Sequence, residues 1–546
     1  MREGIIMISL LRGMLIVIGL MLSAASHGQL AQNLTIGNAK ALALANAVTA
    51  DPPGIDSIHY NPAGLTRLKG QRVNLKIVAG QFTISSELTR SQALNDILDA
   101  RIDNDPSKPF IYQENIEEGE AVAETVSVML PFFGLTELPL LLAPLGGFSI
   151  STPDNTMTFA DAVYAPMIVG FTREEGSNAR YEGNALGFTH LAYFTPSIGV
   201  RVTDTLSVGA GIIFGYTGVG MDLDMRLPHL LLGAVEGLSS SCGQDNEALA
   251  NNIAVNLCEG GIGPFDAIGN LTLEVEQGFN PSINIGFLWE PVEWFTWGAV
   301  YQSEAKTQLS GDFEFNFEQK WVDFFQGLND EGTLVGALSS AGLPIPKGVA
   351  VNRGKATLDF TIPAHFSTGI SVQLTPRFKT NIDVKWTDTA AWEEFKIEFD
   401  SPVDFLPILT FIAPEQVTAN SISFPRGYES TWSWAVGFEY QWDDRLALRA
   451  GYEDRPSAIP EDKADLLAPF GAAFLVGLGF SYQWDKDSVI DAGMGMLRSS
   501  VNIPSESSTN LNSRDPKDII YTPYSGYDAK TNITAFLFEF SYITVF

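Results

Sequence analysis

Side chains able to do nucleophilic or metal chemistry are few and scattered in this chain of 546 residues. The five histidines are His27, His59, His190, His229 and His365. They form no zinc motif with Cys or acidic neighbours, and no Ser–His pair stands out. His190 beside Thr189 does not make the Ser and His pair that a lipid hydrolase would need. The sequence therefore predicts no enzyme, no metal centre and no cofactor. The two cysteines, Cys242 and Cys258, lie in the polar stretch SSSCGQDNEALANNIAVNLCEGG. In an exported chain they are expected to form a disulfide, worth about 3 kcal/mol in the chain-entropy picture. A formal net charge of −31 argues against nucleic acid, which needs basic surface. Acidic loops could attract divalent cations.

Three apolar segments lie where connections are expected: PFFGLTELPLLLAPLGGF from Pro131, LPHLLLGAVEGL from Leu227 and FLPILTFIAP from Phe405. Apolar surface of this kind marks an interaction or packing of one loop on another. Phe132, Phe133, Leu141, Leu231 and Phe405 are the candidate contacts with an apolar ligand.

The elements that would position these residues are strands. Alternation followed by a very short turn and more alternation recurs through the chain. Turns are expected at Thr203-Asp204, Glu290-Pro291-Val292, Thr375-Pro376-Arg377, Asp443-Asp444 and Asp485-Lys486-Asp487. Between the hairpins lie long stretches, about 217–281, 303–365, 388–431, 453–473 and 498–534. Short turns at one end and long loops at the other mark a transmembrane barrel. Strands of nine to eleven residues suit a tilted crossing. Trp432, Trp434, Val436, Phe438 and Tyr440 form one face of a strand, and Ser433, Ala435, Gly437, Glu439 and Gln441 the other. Phe536, Phe538, Phe540, Tyr542, Thr544 and Phe546 repeat the pattern in the last strand. The apolar face is assigned to lipid, because a charge there would cost about 2–4 kcal/mol at the bilayer midplane. Glu439, Arg449, Asp383 and Lys385 are therefore placed in the lumen. Mean hydropathy is only +0.08, as expected when lumen positions dilute lipid-facing ones.

Residues 1–28 read as a signal peptide. Arg2 and Arg12 precede the apolar run Gly13–Leu22, and small residues follow, with cleavage expected after Ala25 or Gly28. Residues 29–70 do not alternate. They are rich in small residues, with a helical stretch from Gly37 to Ala50, a stop at Asp51-Pro52-Pro53-Gly54 and then Tyr60-Asn61-Pro62-Ala63-Gly64-Leu65. They read as a compact hatch. Residues 71–546 would form the barrel.

The order of signal peptide, Ala/Gly-rich helix, YNPAGL and barrel strands resembles the FadL/TodX family of outer-membrane transporters for long-chain fatty acids and other hydrophobic molecules. Tyr193-Phe194-Thr195-Pro196-Ser197-Ile198-Gly199-Val200, Ile362-Pro363-Ala364 and Leu448-Arg449-Ala450-Gly451-Tyr452 add to it. The resemblance implies an all-β fold, an antiparallel barrel of about 14 strands plugged by a partly helical hatch. It implies passive uptake, with capture at apolar outer loops and exit through a gap in the wall at a kinked strand. Asn61, Pro62 and Ala63 would be the hatch residues near that gap, or would only fix the fold of the plug. A fatty-acid carboxylate would need a buried cation. Arg180, Lys385 and Arg449 are candidates for it or for internal ion pairs. The expected surroundings are outer-membrane lipid and lipopolysaccharide, with the barrel assembly machinery as a partner during insertion and a monomer as the final state. A general porin, or a large-looped adhesin or phage receptor, are the competing readings.

Overall fold

The computed structural model describes residues 33–96, 99, 118–226, 267–330, 344–515, 518 and 522–546. The signal-peptide reading, Leu231 with its apolar segment, and the Cys242–Cys258 disulfide all fall outside the described residues.

The strands, in chain order, are β1 (Gln71–Arg90), β2 (Gly119–Ala123), β3 (Val126–Leu130), β4 (Gly134–Leu138), β5 (Leu141–Ser151), β6 (Met157–Thr172), β7 (Ala185–Phe194) and β8 (Ser197–Arg201). They continue as β9 (Leu206–Arg226), β10 (Ala267–Val292), β11 (Phe295–Gln302), β12 (Ala305–Phe317), β13 (Val351–Ile362), β14 (His365–Thr375), β15 (Phe378–Thr387) and β16 (Glu394–Phe399). The last are β17 (Val417–Thr418), β18 (Ser421–Pro425), β19 (Thr431–Gln441), β20 (Leu446–Arg455), β21 (Ala473–Gln483), β22 (Ser488–Ile503) and β23 (Tyr527–Val545). All but β3 and β4, which pair with each other as a separate hairpin, make a closed antiparallel barrel of 14 positions, several built from two collinear segments such as β7 with β8. β23 closes it on β1 over a continuous ladder from Arg72↔Val545 to Arg90↔Tyr527. Closure pairs the strands on both sides, except along Leu141–Leu145 of β5, and that is why strands can cross lipid at all.

The expected faces are present. Phe536, Phe538 and Phe540 are 43%, 49% and 45% exposed, while Leu537 and Glu539 beside them are buried. Trp432 and Phe438 face out and Ser433 and Ala435 face in. Trp289, Trp294, Trp297, Trp442 and Trp484 are exposed near the short-turn end, where an aromatic girdle belongs.

Three expectations need correction. The turn expected at 290–292 lies at 293–294, because a bulge between Trp289 and Val292 absorbs Pro291 and the ladder continues. Leu141–Phe148 is not a loop but most of β5, a wall strand paired to β1. Much of the long stretch 217–281 is also wall: β9 and β10 run 21 and 26 residues, longer than a bilayer crossing needs.

Inside lies the N-terminal segment. Helix α1 (Ala39–Ala43) is capped by Asn38, whose side chain accepts from the Ala41 N–H. It ends where Ala45 and Asn46 take left-handed backbone (φ 49° and 62°). Helix α2 (Ser57–Tyr60) and the 3₁₀ turn Pro62–Arg67 follow. Small side chains let this chain touch the wall backbone. A Cβ on Gly477 would stand 2.0 Å from Leu42 O, and one on Gly451 2.2 Å from Leu44 C.

Candidate functional site

The lumen is divided into a fastened lower part and an apolar upper part. In the lower part, wall side chains bond the hatch backbone. Asp383 Oδ2 accepts from the N–H groups of Val48 and Thr49 at 2.8 Å each. Asn381 donates to Ala47 O, and Asn284 to Ile58 O and His59 O. Lys76 pairs with Asp56 at 2.6 Å, both fully enclosed. Asp51 holds Lys40 and Lys379, at 2.8 and 2.6 Å. Buried charges persist only when paired and hydrogen-bonded in this way. Burial pushes the His59 imidazole down to about 3, so it stays neutral beside Asn33, whose side-chain oxygen lies 2.8 Å away.

Asn61, Pro62 and Ala63 belong to this fastening. Asn61 Nδ2 donates to Thr49 O and to Phe287 O of β10, and its oxygen accepts from the Ala63 N–H. Pro62 lies against Gly209 of β9, where a Cβ would come within 2.2 Å of its carbonyl carbon. Elsewhere in the hatch, Asn33 N–H and Thr35 Oγ1 donate to Pro166 O and Ala165 O of strand β6, each at 2.9 Å.

Above the hatch the wall encloses a cavity of about 430 Å³, within the roughly 300–1,000 Å³ typical of small-molecule sites. Its sides come from β6, β7, β9, β10, β13, β16 and β18, through residues such as Val169, Phe188, Met221, Leu273, Phe360 and Phe424. The Phe188 and Phe360 rings pack on each other in its lining, 5.4 Å apart, and Trp392 lies 5.5 Å from Phe360. Helix α4 (Leu406–Ile412) follows α3 (Gln319–Asp330) in the chain and brings in Leu409, with Phe405 just before it.

The cavity's apolar lining comes from a phase change in the strands. In the lower part of β10, Phe279, Ile283 and Ile285 face out while Asn280, Ser282 and Asn284 face in. Above a bulge at Gln277–Asn280, Leu271, Leu273 and Val275 face in and Glu274 faces out. A one-residue slip turns every side chain over. Below it the wall faces lipid outside and the polar hatch inside. Above it the outside carries Glu274 and Glu276, and the inside is oily.

The polar residues at the cavity come from the long-loop end: Glu182, Arg226, Arg426, Lys463, Asp465 and Asp518 among them. Arg426 pairs with Asp465, and Arg226 stacks on Tyr181 and Tyr524 and donates to Pro523 O. Burial, then the nearby Asp465 charge, holds the Glu182 carboxyl well above its usual range, although Leu466 N–H donates to it. Lys463 Nζ donates to Thr509 Oγ1 at 2.8 Å.

Of the described residues expected to touch a ligand, only Phe405 lines this cavity. Leu141 is a buried wall residue of β5. Phe132 and Phe133 sit at the tip of the β3–β4 hairpin, 96% and 79% exposed. Lys385 is bound to Glu453 at 2.7 Å, and Arg449 to Glu439 and Asp491, beside the hatch. Arg180 lies 3.6 Å from Asp224 and stacks on Tyr181. The cavity-lining cations, Arg226, Arg426 and Lys463, were not singled out by the sequence. The inward-apolar phase of LTLEV and TLDF was the signal that could have located the cavity.

A family model described as outer membrane protein transport protein (OMPP1/FadL/TodX) matches residues 19–546. Among solved structures, a Pseudomonas aeruginosa FadL homologue is similar with a TM-score of 0.63 and 18% identity, covering 96% of this chain and 100% of that one. The P. putida toluene transporter TodX gives 0.56 and 15%, covering 94% and 99%. The Ralstonia pickettii toluene transporter TbuX gives 0.54 and 15%, covering 93% and 98%. At these identities the likeness is one of fold. No curated protein sequence matches the chain.

Proposed function

The chain belongs to the OMPP1/FadL/TodX family of outer membrane transport proteins, and from that premise we propose that it takes up long-chain fatty acids or related hydrophobic molecules passively. The observation that carries this reading is the apolar cavity of about 430 Å³ lying inside the wall above the hatch. Burying methylenes there is worth about 0.8 kcal/mol each, enough to draw an oily molecule out of water without an energy source. The outer apolar segments would capture it, the cavity would hold it, and a gap beside the hatch would release it sideways. The interruption of β5–β6 pairing above Gly146↔Val163 supports the last step. The hatch would act as the plug, Asn61, Pro62 and Ala63 anchoring it. Lys463 is the cavity cation best suited to a carboxylate head, since its short contact, at 2.8 Å, is with the neutral Thr509 hydroxyl and its ion pair with the exposed Asp462 is loose, at 3.6 Å. Outer-membrane lipid and lipopolysaccharide would surround a monomer inserted by the barrel assembly machinery after signal-peptide removal. No reaction chemistry is required of it. A general porin is disfavoured by the lower lumen, where hatch residues such as Ala41, Leu44 and Val48 are fully enclosed.

Uptake of radiolabelled oleate and of toluene by cells lacking their own transporters tests this. Uptake above the empty-vector level supports the reading. No uptake, together with steady conductance of small polar solutes in planar bilayers, would replace it with the porin.

A further inference from the structure

The wall has a stretch where two neighbouring positions are not laddered together. β5 pairs with β1 from Gln71↔Ile150 up to Gly80↔Leu141, but with β6 only from Ser151↔Thr158 up to Gly146↔Val163. Leu141–Leu145 thus has ladder partners on the β1 side alone. β6 runs on to Thr172 paired to β7, and the two sides meet again at the bridge Thr125↔Thr172. Pro166, which has no N–H, lies in the interval. The Ala165 and Pro166 carbonyls are satisfied by the hatch rather than by β5.

The β3–β4 hairpin lies beside this interval, over β6, β7, β9 and β10 on the outside of the barrel. Its side is fixed by strand alternation. Val169, Leu186, Val219 and Leu273 line the cavity, so Gly170, Gly187, Gly218, Gly220 and Glu274 face outward. The hairpin meets these outward positions. A Cβ on Gly170 would stand 2.0 Å from Ser127 O, and one on Gly187 or Gly218 2.5 Å from Leu135 Cδ1 or Met129 Cγ. The Met129 N–H donates to Thr189 Oγ1 and the Leu135 N–H to Glu274 Oε1. β3 is consequently buried on both faces. Val126 and Val128 form one buried cluster with Leu141, Ala165 and Ile168, which flank the interval on its two sides. Phe82 packs against that cluster and also against the cluster around the cavity. On the lumen side a small void beside Phe82 shares Val169, Leu186, Leu467 and Phe470 with the main cavity.

We propose that the β3–β4 hairpin is an exterior stopper: it closes a side passage from the cavity past Phe82 to the outer leaflet, and release requires its displacement. The proposal rests on the transport reading above. The hairpin is held by three hydrogen bonds to wall side chains, those of Thr189, Glu274 and Thr172 (the last with the Ser127 hydroxyl), and by apolar contacts on a glycine floor, a seat from which it can lift without unzipping any barrel ladder. Its exposed tip, Phe132 and Phe133, would meet lipid as it swings.

A reversible lock tests it. The Leu135 Cβ lies 3.0 Å from where a Gly220 Cβ would stand, so an outward shift of the hairpin by about 0.5–1 Å brings the pair to the separation a disulfide takes. The double variant Leu135→Cys with Gly220→Cys is expected to take up oleate and toluene at least tenfold more slowly when oxidised. Reductant should restore the rate, while probe binding by the detergent-solubilised protein stays unchanged. The single-cysteine variants supply the redox control. The variant Val126→Ser with Val128→Ser should loosen the seat and speed uptake. An oxidised lock, verified by mass, that transports as fast as the reduced form overturns the stopper alone. No uptake by the unsubstituted protein overturns the transport reading and the stopper with it.

Discussion

Replacing Asp383 with Ala should release the hatch without disturbing the wall. Its carboxylate accepts two N–H groups, from Val48 and Thr49, each at 2.8 Å and all buried. A hydrogen bond to a charged group contributes about 1.5–3 kcal/mol. Losing two weakens local attachment by about 3–6 kcal/mol, a factor of about 10² to 10⁴ in the detached population. The β14–β15 and β15–β19 ladders do not involve the side chain, so the barrel should still fold. Asp383→Asn keeps an acceptor oxygen and should lie between the alanine variant and the parent. Single-channel recording in planar bilayers is the assay, with amide exchange at Ala47–Ala50 as the local probe. Alanine is expected to give frequent open bursts and fast exchange at Val48 and Thr49. Parent-like conductance with unchanged exchange would refute the claim that wall side chains fasten the hatch.

Three other outcomes follow from the same geometry. Leu273→Asp puts an unpaired carboxylate into the apolar cavity and should abolish retention of a hydrophobic probe while the protein still migrates as a folded barrel; retained probe would place binding elsewhere. Lys463→Met should weaken oleate binding about tenfold, a charge-assisted bond discounted for partial exposure, and leave toluene unchanged. Equal loss for both would make Lys463 a packing residue. Glu182 carries a raised pKa in the folded state, so its contribution to stability is present below the unfolded carboxylate range and is lost as pH rises through the folded value. Glu182→Gln should therefore slow amide exchange at Leu466 and Leu467 at neutral pH relative to the parent, and remove the pH dependence there. An unchanged pH profile would contradict the burial assigned to this carboxyl.

Much of the wall was legible because lipid on one side and a polar hatch on the other force strict alternation. Trp432–Gln441 and the final strand show it without ambiguity. Glu439, Arg449, Asp383 and Lys385 were placed in the lumen for the same reason, and there they sit in ion pairs or bond the hatch. Leu141–Phe148 was missed because both its faces are apolar. Leu141 and Leu145 pack inward while Leu142 and Phe148 face lipid, so alternation is invisible in composition. The cavity was missed for the opposite reason. Alternation in β10, β12 and β13 continues toward the long-loop end with its sense reversed, and in β10 a bulge at Gln277–Asn280 carries the switch. Long-range seating left no local trace either: nothing in PFFGL says that Phe132 and Phe133 end a hairpin lying on the outside of the barrel.

The most direct test of the central claim is to denature the detergent-purified protein and identify what it releases by mass spectrometry, beside the Leu273→Asp variant. The account expects a hydrophobic molecule in near-stoichiometric amount from the parent and little from the variant. Equal amounts from both, or none from a parent that conducts small polar solutes, would contradict it.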